Sequence, residues 1–373
     1  MNPPPEALPR RSLMKGAVAL GGSTLLAACG KSADKPTSSG VKVTDQRGSV
    51  LRLDGPAKRI VTIPFPAAAI VIAVDQSVEH LVGMNDFSWT AARDSVLASF
   101  FPDVLDIEHD VASETFAPNI ESVLELDPDV VVQWSSQGDE IIKPLENAHL
   151  PVLGVEYGTL DDLKSWLVMF SQMLGKPARG RAMASRLEDD RNDIAEVALR
   201  RTSTKPTVLY LLRFAEGLTV MGTETFNDEY IRLVGCENAA LSVEGATEVG
   251  LEQVLSWDPD IVLVGNFDDG MPDDIYGDPR WKDVSAVASR RVYKVPLGGY
   301  RWDPPSHESP LMWNWLSAVA FPGGETTDLR AKIDHDYQFF YGRTPTPSQV
   351  DSILRLDING SSASYGQFRA SSG

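Results

Sequence analysis

Two carboxylates, Glu121 and Glu252, occupy equivalent places in a sequence pattern that occurs twice in the chain. The first copy is Asn119-Ile-Glu-Ser-Val-Leu-Glu-Leu-Asp-Pro-Asp-Val-Val-Val132, and the second is Gly250-Leu-Glu-Gln-Val-Leu-Ser-Trp-Asp-Pro-Asp-Ile-Val-Leu263. An acid at such a position can pair with a cationic partner. The helix dipole alone also favours an acid in the first turn of a helix, by about 0.3–1 kcal/mol. The helix dipole is a sufficient reason for a single acid at this position. The presence of an acid at the same position in both copies favours a function that the two residues share.

Each copy of the pattern predicts a short helix, a tight turn and a buried strand. A residue suited to a helix cap precedes an amphipathic run, Asp-Pro ends that run, and an apolar, β-branched stretch follows. A strand that is apolar at consecutive positions is covered on both faces, which is typical of parallel sheets in α/β proteins. We therefore predict an α/β protein of two lobes, each with a mostly parallel central sheet flanked by helices.

A long polar helix is predicted between the two lobes, within residues 178–204. Its apolar stripe is so thin that the helix suits a connector better than a core. We expect the N-terminal lobe at residues 41–177 and the C-terminal lobe at residues 205–357. The Ser-rich residues 358–373 predict a disordered tail.

The repeated helix, Asp-Pro turn and strand resemble the pattern of the substrate-binding proteins of iron-chelate and cobalamin ABC importers. The resemblance covers roughly residues 41–357, and a single linking helix is a mark of that family. It implies that the partner is an ABC permease in the membrane. It also implies that one surface glutamate of each lobe docks against permease arginines, and Glu121 and Glu252 match those positions.

Residues 1–28 have the features of an export signal. Arg10 and Arg11 belong to a twin-arginine pattern, and the apolar run that follows is too short to span a bilayer. The segment Leu-Ala-Ala-Cys29 resembles a bacterial lipobox, in which the cysteine is lipidated and becomes the first mature residue. We therefore expect twin-arginine (Tat) export, anchoring at the extracytoplasmic face of the cell membrane through Cys29, and a tether at residues 29–40.

The composition and the motifs exclude several classes of partner and activity. The chain carries 34 Lys and Arg residues against 52 Asp and Glu residues, and its formal net charge of −18 repels nucleic acid. No nucleophile elbow, phosphate loop or dinucleotide fingerprint is present, so we do not expect an enzyme. Ser306-His307-Glu308 holds the residue types of a hydrolase triad, but adjacent side chains point in different directions.

The five histidines show no spacing that is typical of metal ligands. We therefore expect scattered surface histidines, with no metal site and no cofactor in the protein itself. A cluster of His109, Glu114, His307 and Glu308 between the lobes is the alternative.

Aromatic and arginine residues follow several of the predicted strands. Ligands of open parallel sheets bind beyond the carboxyl ends of the strands. Rings provide flat apolar walls, and guanidinium groups donate hydrogen bonds to carboxylate, catecholate or hydroxamate oxygens. Trp134 could instead fill the rim of the core, and Arg93 and Arg213 could form ion pairs with nearby acids. We predict ligand contacts from Phe65, Trp89, Arg93, Trp134, Tyr157, Arg213, Phe214, Tyr300, Arg301 and Trp302.

The expected function is the capture of an iron chelate, a ferric siderophore, and its delivery to the ABC permease by a monomeric receptor. The chelator would hold the iron, and the protein would contact the organic shell. Cobalamin and haem are alternatives, because the family that the chain resembles serves all three. A cell-surface scaffold or signalling lipoprotein that keeps the fold without transport is an alternative from another class.

Overall fold

The computed structural model describes residues 40–370, except Glu216 and Thr326. The predicted export signal, the predicted lipidation site Cys29 and all but the last residue of the predicted tether lie outside the described residues.

A hairpin, a parallel sheet and flanking helices make up the first lobe. These elements are β1 (Val41–Thr44), β2 (Val50–Leu53), β3 (Ile60–Thr62), α1 (Ala67–Asp75), β4 (Leu81–Met84), α2 (Asp86–Arg93), α3 (Val96–Phe100), α4 (Ile120–Glu125), β5 (Val130–Trp134), α5 (Asp139–Asn147), β6 (Val152–Val155) and α6 (Leu160–Met173). Strands β1 and β2 form the antiparallel hairpin. The sheet has the order β4-β3-β5-β6, and all of its pairs are parallel. Strand β5 is buried at every position, as its consecutive valines predict.

One long helix, α7 (Pro177–Leu199), carries the chain from the first sheet to the second. Pro177 lies in its first turn, where the missing N–H breaks no hydrogen bond. Met183, Leu187 and Ile194 form a narrow buried stripe on an otherwise polar surface. Among the residues that the structure describes, no helix has both the length and the apolar character needed to cross a membrane.

The second lobe contains a mixed sheet surrounded by helices. Its elements are β7 (Thr207–Arg213), β8 (Thr219–Met221), α8 (Phe226–Leu233), β9 (Glu237–Asn238), β10 (Ala246–Glu248), α9 (Leu251–Trp257), β11 (Ile261–Val264), α10 (Pro272–Gly277), α11 (Ser285–Ala288), β12 (Val292–Lys294), α12 (Ser309–Ala320), α13 (Leu329–Tyr341) and α14 (Pro347–Ile353). The main path is β10-β8-β7-β11-β12, in which β7, β11 and β12 pair in parallel and β8 pairs antiparallel with both β7 and β10. Strand β9 pairs with the first residues of β7. The two sheets confirm the predicted α/β class.

The repeated sequence pattern has the same structure in both lobes. The aspartate before the proline, Asp127 in one copy and Asp258 in the other, is left-handed with a φ of 41°. The aspartate after the proline accepts backbone hydrogen bonds: Asp129 from the N–H groups just before β3, and Asp260 from the first N–H of β7. Each acid therefore holds the strand of its own pattern against a parallel neighbour.

The prediction of a disordered tail is wrong for the described residues after 357. Tyr365 and Phe368 lie in a short 3-10 turn and are buried. The indole N–H of Trp315 donates to Tyr365 Oη at 2.9 Å, and that hydroxyl donates to the carbonyl of Leu354 at 2.6 Å. The two aromatic residues fix the segment, although serines dominate its composition.

Candidate ligand-binding site

Two adjoining cavities lie between the lobes, at the carboxyl ends of the parallel strands. We call the cavity of about 470 Å³ the aromatic chamber and the cavity of about 660 Å³ the polar chamber. Phe87 of the first lobe and Arg213 and Phe267 of the second lobe line both. Ligands of this fold class are expected at such a position.

Rings from both lobes form the walls of the aromatic chamber. Phe65, which follows β3, contacts Phe116 and Tyr157 of its own lobe, with ring centroids 5.6 Å apart in both pairs. Phe65 also meets Phe267, which follows β11, at 5.7 Å. The wall therefore crosses from one lobe to the other, and edge-to-face contacts stabilise it. The rings that line this chamber are Phe65, Phe87, Phe116, Tyr157, Tyr210, Phe226 and Phe267.

A buried acid, Asp303, supports the second-lobe side of the aromatic chamber. Its carboxylate accepts hydrogen bonds from Tyr210 Oη at 2.5 Å and from the backbone N–H of Asn266 at 2.8 Å. Burial raises the pKa of Tyr210 well above its ordinary value, so the phenol stays protonated and remains a donor. Asp303 thereby joins β7 to the loop that carries Phe267.

The lysine of the polar chamber is committed to the protein itself. Lys294 Nζ donates to the backbone carbonyls of Gly265, Asp268 and Gly270 at 2.6–2.9 Å. Burial lowers the pKa of Lys294 to about 8. An ammonium group has three donors, so Lys294 holds the loop in place and retains no donor for a ligand.

Arg301 reaches across the interface between the lobes. Its Nη1 donates to the carbonyl oxygen of Phe87 at 2.9 Å, and its Nε donates to the carbonyl oxygen of Asn266 at 3.1 Å. The guanidinium lies over the ring of Phe267, 4.8 Å from the centroid. A guanidinium has five N–H donors, so Arg301 keeps donors for an anionic ligand.

Two further arginines line the polar chamber. Arg355, which follows α14, donates from Nη2 to Asn266 Oδ1 at 2.8 Å, and burial lowers its pKa. Arg213, at the end of β7, is exposed. Together with Arg301 they make the chamber suited to the oxygens of a carboxylate or a similar anion. Carboxylates share the same chamber, namely those of Asp86, Asp94, Asp268 and Asp269.

Four of the predicted contact residues line the cavities. Phe65 and Tyr157 belong to the aromatic chamber, Arg301 to the polar chamber and Arg213 to both. Tyr157 Oη also donates to the carbonyl of Pro305 in the other lobe, at 3.3 Å. Their positions agree with the prediction, and their contact with a ligand stays a prediction.

Trp302 and Tyr300 do not face either chamber, which corrects the prediction for both. Trp302 is 0% exposed, and its indole N–H donates to Glu308 Oε2 at 2.7 Å. Tyr300 is buried against Ala69 and Ala91 of the first lobe. The loop residues on both sides of Arg301 are therefore drawn into the protein.

Trp134 and Phe214 also lie behind the chamber walls. Trp134 is buried, with its ring centroid 5.8 Å from that of Phe65 and 5.3 Å from that of Tyr157. Trp134 therefore forms a second layer behind the chamber wall, which agrees with the alternative that it fills the rim of the core. Phe214 packs against the buried Trp281 at 5.8 Å instead of against a cavity.

Trp89 and Arg93 do not belong to the face of α2 that lines the polar chamber. Residues Phe87, Thr90, Ala91 and Asp94, whose spacing is helical, line the polar chamber. The indole of Trp89 stacks on a histidine and donates to a backbone carbonyl, and Arg93 pairs with Asp94 at 2.8 Å. The sequence predicts no helix for this segment, so the pattern of residues alone does not distinguish its two faces.

Several residues that line the two chambers are not among the ten predicted contacts. Phe267 directly follows β11 and Phe87 lies in the connection after β4, so both belong to the residues that follow the strands, but neither is among the ten predicted contacts. Asp303 follows Trp302 inside the predicted loop, but nothing in the sequence marks it as a partner of Tyr210. Arg355 comes from the end of a distant helix, and no local signal points to it. The lining residues outside the predicted contacts include Phe87, Phe116, Tyr210, Phe226, Phe267, Lys294, Asp303 and Arg355.

Glu121 and Glu252 are exposed in the first turns of α4 and α9. Asn119 caps α4 by accepting a hydrogen bond from the backbone N–H of Ser122, whereas Gly250 precedes α9 without a side-chain cap. The two carboxylates are thus accessible at matching positions, as docking requires. Their role in docking stays a prediction.

The four residues of the alternative metal cluster do not come together. His307 and Glu308 are buried in the second lobe, whereas His109 pairs with Asp86 at 3.0 Å on the first lobe. Within residues 40–370, leaving aside 216 and 326, no group of three or more His, Cys, Asp and Glu side chains could hold a metal ion.

Comparison with curated proteins gives relatives of known binding class. The molybdate-binding protein MolA of Haemophilus influenzae is 23% identical over 332 residues, which cover 83% of this chain and 93% of that protein. The iron(3+)-hydroxamate-binding protein FhuD of Bacillus subtilis is 26% identical over 204 residues, which cover 52% of this chain and 64% of FhuD.

A solved structure and a family model identify the family. The periplasmic solute binding protein of Veillonella parvula superimposes with a TM-score of 0.79 and is 34% identical, covering 86% of this chain and 98% of that one. The family model described as periplasmic binding protein matches residues 86–297, more than half of the chain. The two-lobed fold, the cleft between the lobes and these matches together show that the chain belongs to the periplasmic binding protein family.

Proposed function

We propose that the protein is a lipid-anchored extracytoplasmic receptor that binds a ferric siderophore and delivers it to an ABC permease. The observation that carries the proposal is the aromatic chamber, whose rings come from both lobes and adjoin the arginines of the polar chamber. A ferric siderophore has a bulky organic shell and oxygens that carry negative charge. The rings suit the shell, and Arg213 and Arg301 suit the oxygens.

The size of the cleft supports a chelate over a bare oxyanion. Pockets for small organic molecules measure about 300–1,000 Å³, and the two chambers measure about 470 and 660 Å³. Molybdate, which the relative MolA binds, would occupy a small part of the polar chamber and leave the rings without a partner. The relative FhuD binds an iron hydroxamate, in which the chelator supplies the ligands of the metal.

Cobalamin and haem are the second candidates, because aromatic side chains also suit the face of a large macrocycle. A scaffold or signalling lipoprotein would not need an open chamber, so saturable binding of any solute argues against that alternative. The receptor would act as a monomer without catalytic activity. Glu121 and Glu252 would dock on the permease, and Cys29 would carry the membrane anchor.

The ligand class is tested by titrating the purified protein with ferric hydroxamates, ferric catecholates, ferric citrate, haem, cobalamin and molybdate. Trp134 lies directly behind Phe65 and Tyr157, so a coloured chelate in the aromatic chamber quenches its fluorescence. We expect saturable quenching by at least one ferric chelate. The Trp134→Phe variant should lose most of the quenching and keep the affinity measured by calorimetry. Binding of molybdate alone would refute the siderophore proposal.

A further inference from the structure

Leu124 and Leu255 are large apolar side chains that remain exposed at equivalent places in the two lobes. They are 48% and 37% exposed, and each follows the glutamate of its helix by three residues. Residues three apart lie on the same side of a helix, so each lobe presents an acid and a leucine side by side. A single exposed leucine is ordinary, but the same arrangement in both lobes requires a cause.

The neighbouring positions on the two helices do not match in this way. The residue after the glutamate is Ser122 in α4 and Gln253 in α9, and the residue after the leucine is Glu125 in α4 and Ser256 in α9. Between the glutamate and the leucine lies a valine, Val123 or Val254, that is buried in both copies. Packing in the core explains why this position is a valine. Among the exposed residues of the two helices, only the glutamate and the leucine are shared.

The two pairs of an acid and a leucine are held by equivalent elements, a short helix and the buried strand that follows it. Each helix is anchored by its buried valine and is followed, directly in α9 and after Leu126 in α4, by a left-handed aspartate, Asp258 or Asp127. Each is then joined to a buried central strand, β5 or β11. The direction in which the acid and the leucine project from their sheet is therefore repeated in the two lobes.

We propose that Leu124 and Leu255 form the apolar centres of two docking surfaces, each of which inserts into an apolar pocket beside an arginine of the ABC permease. This inference rests on the proposed function, because it needs the permease as its partner. Charge complementarity selects that partner: the net charge of the chain is −18, and each surface contains an acid, so the matching face is basic around an apolar pocket. Because the surface occurs once in each lobe, the partner presents two matching sites.

The leucines supply what the glutamates lack. An exposed ion pair contributes little to affinity, because water and salt screen it. A leucine that loses its contact with water at the centre of an interface adds affinity, and it shields the adjacent ion pair from solvent. The acid thus orients the complex and the leucine stabilises it.

The test compares double variants of the full-length protein in cells that contain its own permease. With Leu124→Ser and Leu255→Ser, uptake of radioactive iron from the chelate identified in the titration falls to less than one tenth of the wild-type rate. The purified variant keeps the wild-type affinity for the chelate. Replacement of both leucines by methionine preserves an apolar side chain of similar volume, so uptake stays within twofold of wild type.

The matched control is Leu199→Ser with Leu241→Ser, because these leucines are 85% and 53% exposed outside the two helices; uptake should remain unchanged. An equal loss in this control would overturn the inference. So would full uptake by the serine variant in cells where Glu121→Ala with Glu252→Ala abolishes transport, and the proposed function would then survive. If the wild-type protein supports uptake of no ferric chelate, the proposed function itself fails.

Discussion

At the scale of single residues, the most connected group near the site is the buried carboxylate of Glu308. It accepts hydrogen bonds from Trp302 at 2.7 Å, from Tyr337 at 3.0 Å, from Tyr341, and from the backbone N–H of Gly299 at 3.0 Å. An added Cβ at Gly299 would collide with Tyr341 and Glu308. Glu308 therefore holds the residues on both sides of Arg301 inside the protein, whereas the Arg301 side chain lines the polar chamber.

Glu308 should make the stability of the protein depend on pH. Burial raises the pKa of Glu308 from its ordinary value of 4.5 to about 7. Between these values the unfolded chain releases the proton and the folded chain keeps it, so the free energy of unfolding falls as the pH rises. The fall due to this group is on the order of 3 kcal/mol, and it is complete above pH 7. Urea unfolding at pH 4.5–7.5 should show a smaller fall for Glu308→Gln than for wild type; equal slopes would contradict the assignment.

Arg301 and Arg93 should differ in their effect on ligand affinity. Arg301→Ala removes a charged donor from the polar chamber, and we expect at least a tenfold loss of chelate affinity, about 1.4 kcal/mol or more. Arg93→Ala is the control, because Arg93 pairs with Asp94 and lines neither chamber; its affinity should stay within twofold. Calorimetric titration distinguishes the two. A similar loss in both variants would mean that the ligand lies outside the chambers.

At the scale of elements, the repeated helix, turn and strand show how local sequence positions a surface. The Asp-Pro-Asp turn ends α4 and α9 in the same left-handed conformation, and its second acid ties the following strand to its neighbour. The segment around α2 shows the opposite case. Its helical character decides that Phe87 faces the cleft and Trp89 does not, and that character was not predicted.

The C-terminal segment should be necessary for stability. A chain that ends after Asp357 lacks Tyr365 and Phe368, which are buried against the rest of the lobe. We expect its free energy of unfolding to fall by roughly 3 kcal/mol or more, since loss of one buried aromatic side chain has this cost. A chain that ends after Ala370 should unfold at the wild-type urea concentration. Equal midpoints for the two truncated chains would show that the tail does not contribute.

At the scale of the whole molecule, Arg179 of α7 joins the linking helix to both lobes. Its guanidinium donates to the carbonyls of Ala73 and Val74 at the end of α1, and to those of Phe339 and Phe340 at the end of α13. Cationic groups are favoured at the carboxyl ends of helices. One side chain thus caps two helices that belong to different lobes.

Replacement of Arg179 should therefore weaken the junction between the lobes. Arg179→Ala leaves buried carbonyls without their donor, and we expect a loss of roughly 2–4 kcal/mol in the free energy of unfolding. Hydrogen exchange should accelerate at the ends of α1 and α13 together. Arg181→Ala is the control, because Arg181 is exposed on the same helix. Faster exchange at only one of the two helix ends would contradict the junction.

The proposed membrane anchor is tested on the whole protein in cells. With Cys29→Ser no lipid can be attached, so the protein should move from the membrane fraction to the soluble extracytoplasmic fraction. Replacement of the other cysteine, by Cys236→Ala, is the control, because Cys236 is buried and cannot carry a lipid in the folded protein. Retention of the Cys29 variant in the membrane would exclude lipidation at that residue.

The α/β class, the repeated helix, turn and strand pattern and the family could be predicted from the amino-acid sequence, because the periodicity of apolar residues and the Asp-Pro turns are local properties of the chain. The sequence also determined which residues follow the strands, and so found Phe65, Tyr157, Arg213 and Arg301. Which neighbours of these residues face the cleft depends on packing and could be read only from the three-dimensional structure. Arg301 and Trp302 are adjacent in the sequence, yet one points into the cleft and the other is held by Glu308, which Tyr337 and Tyr341 enclose. Burial depends on what packs against a side chain, and here the partners come from a helix distant in the chain.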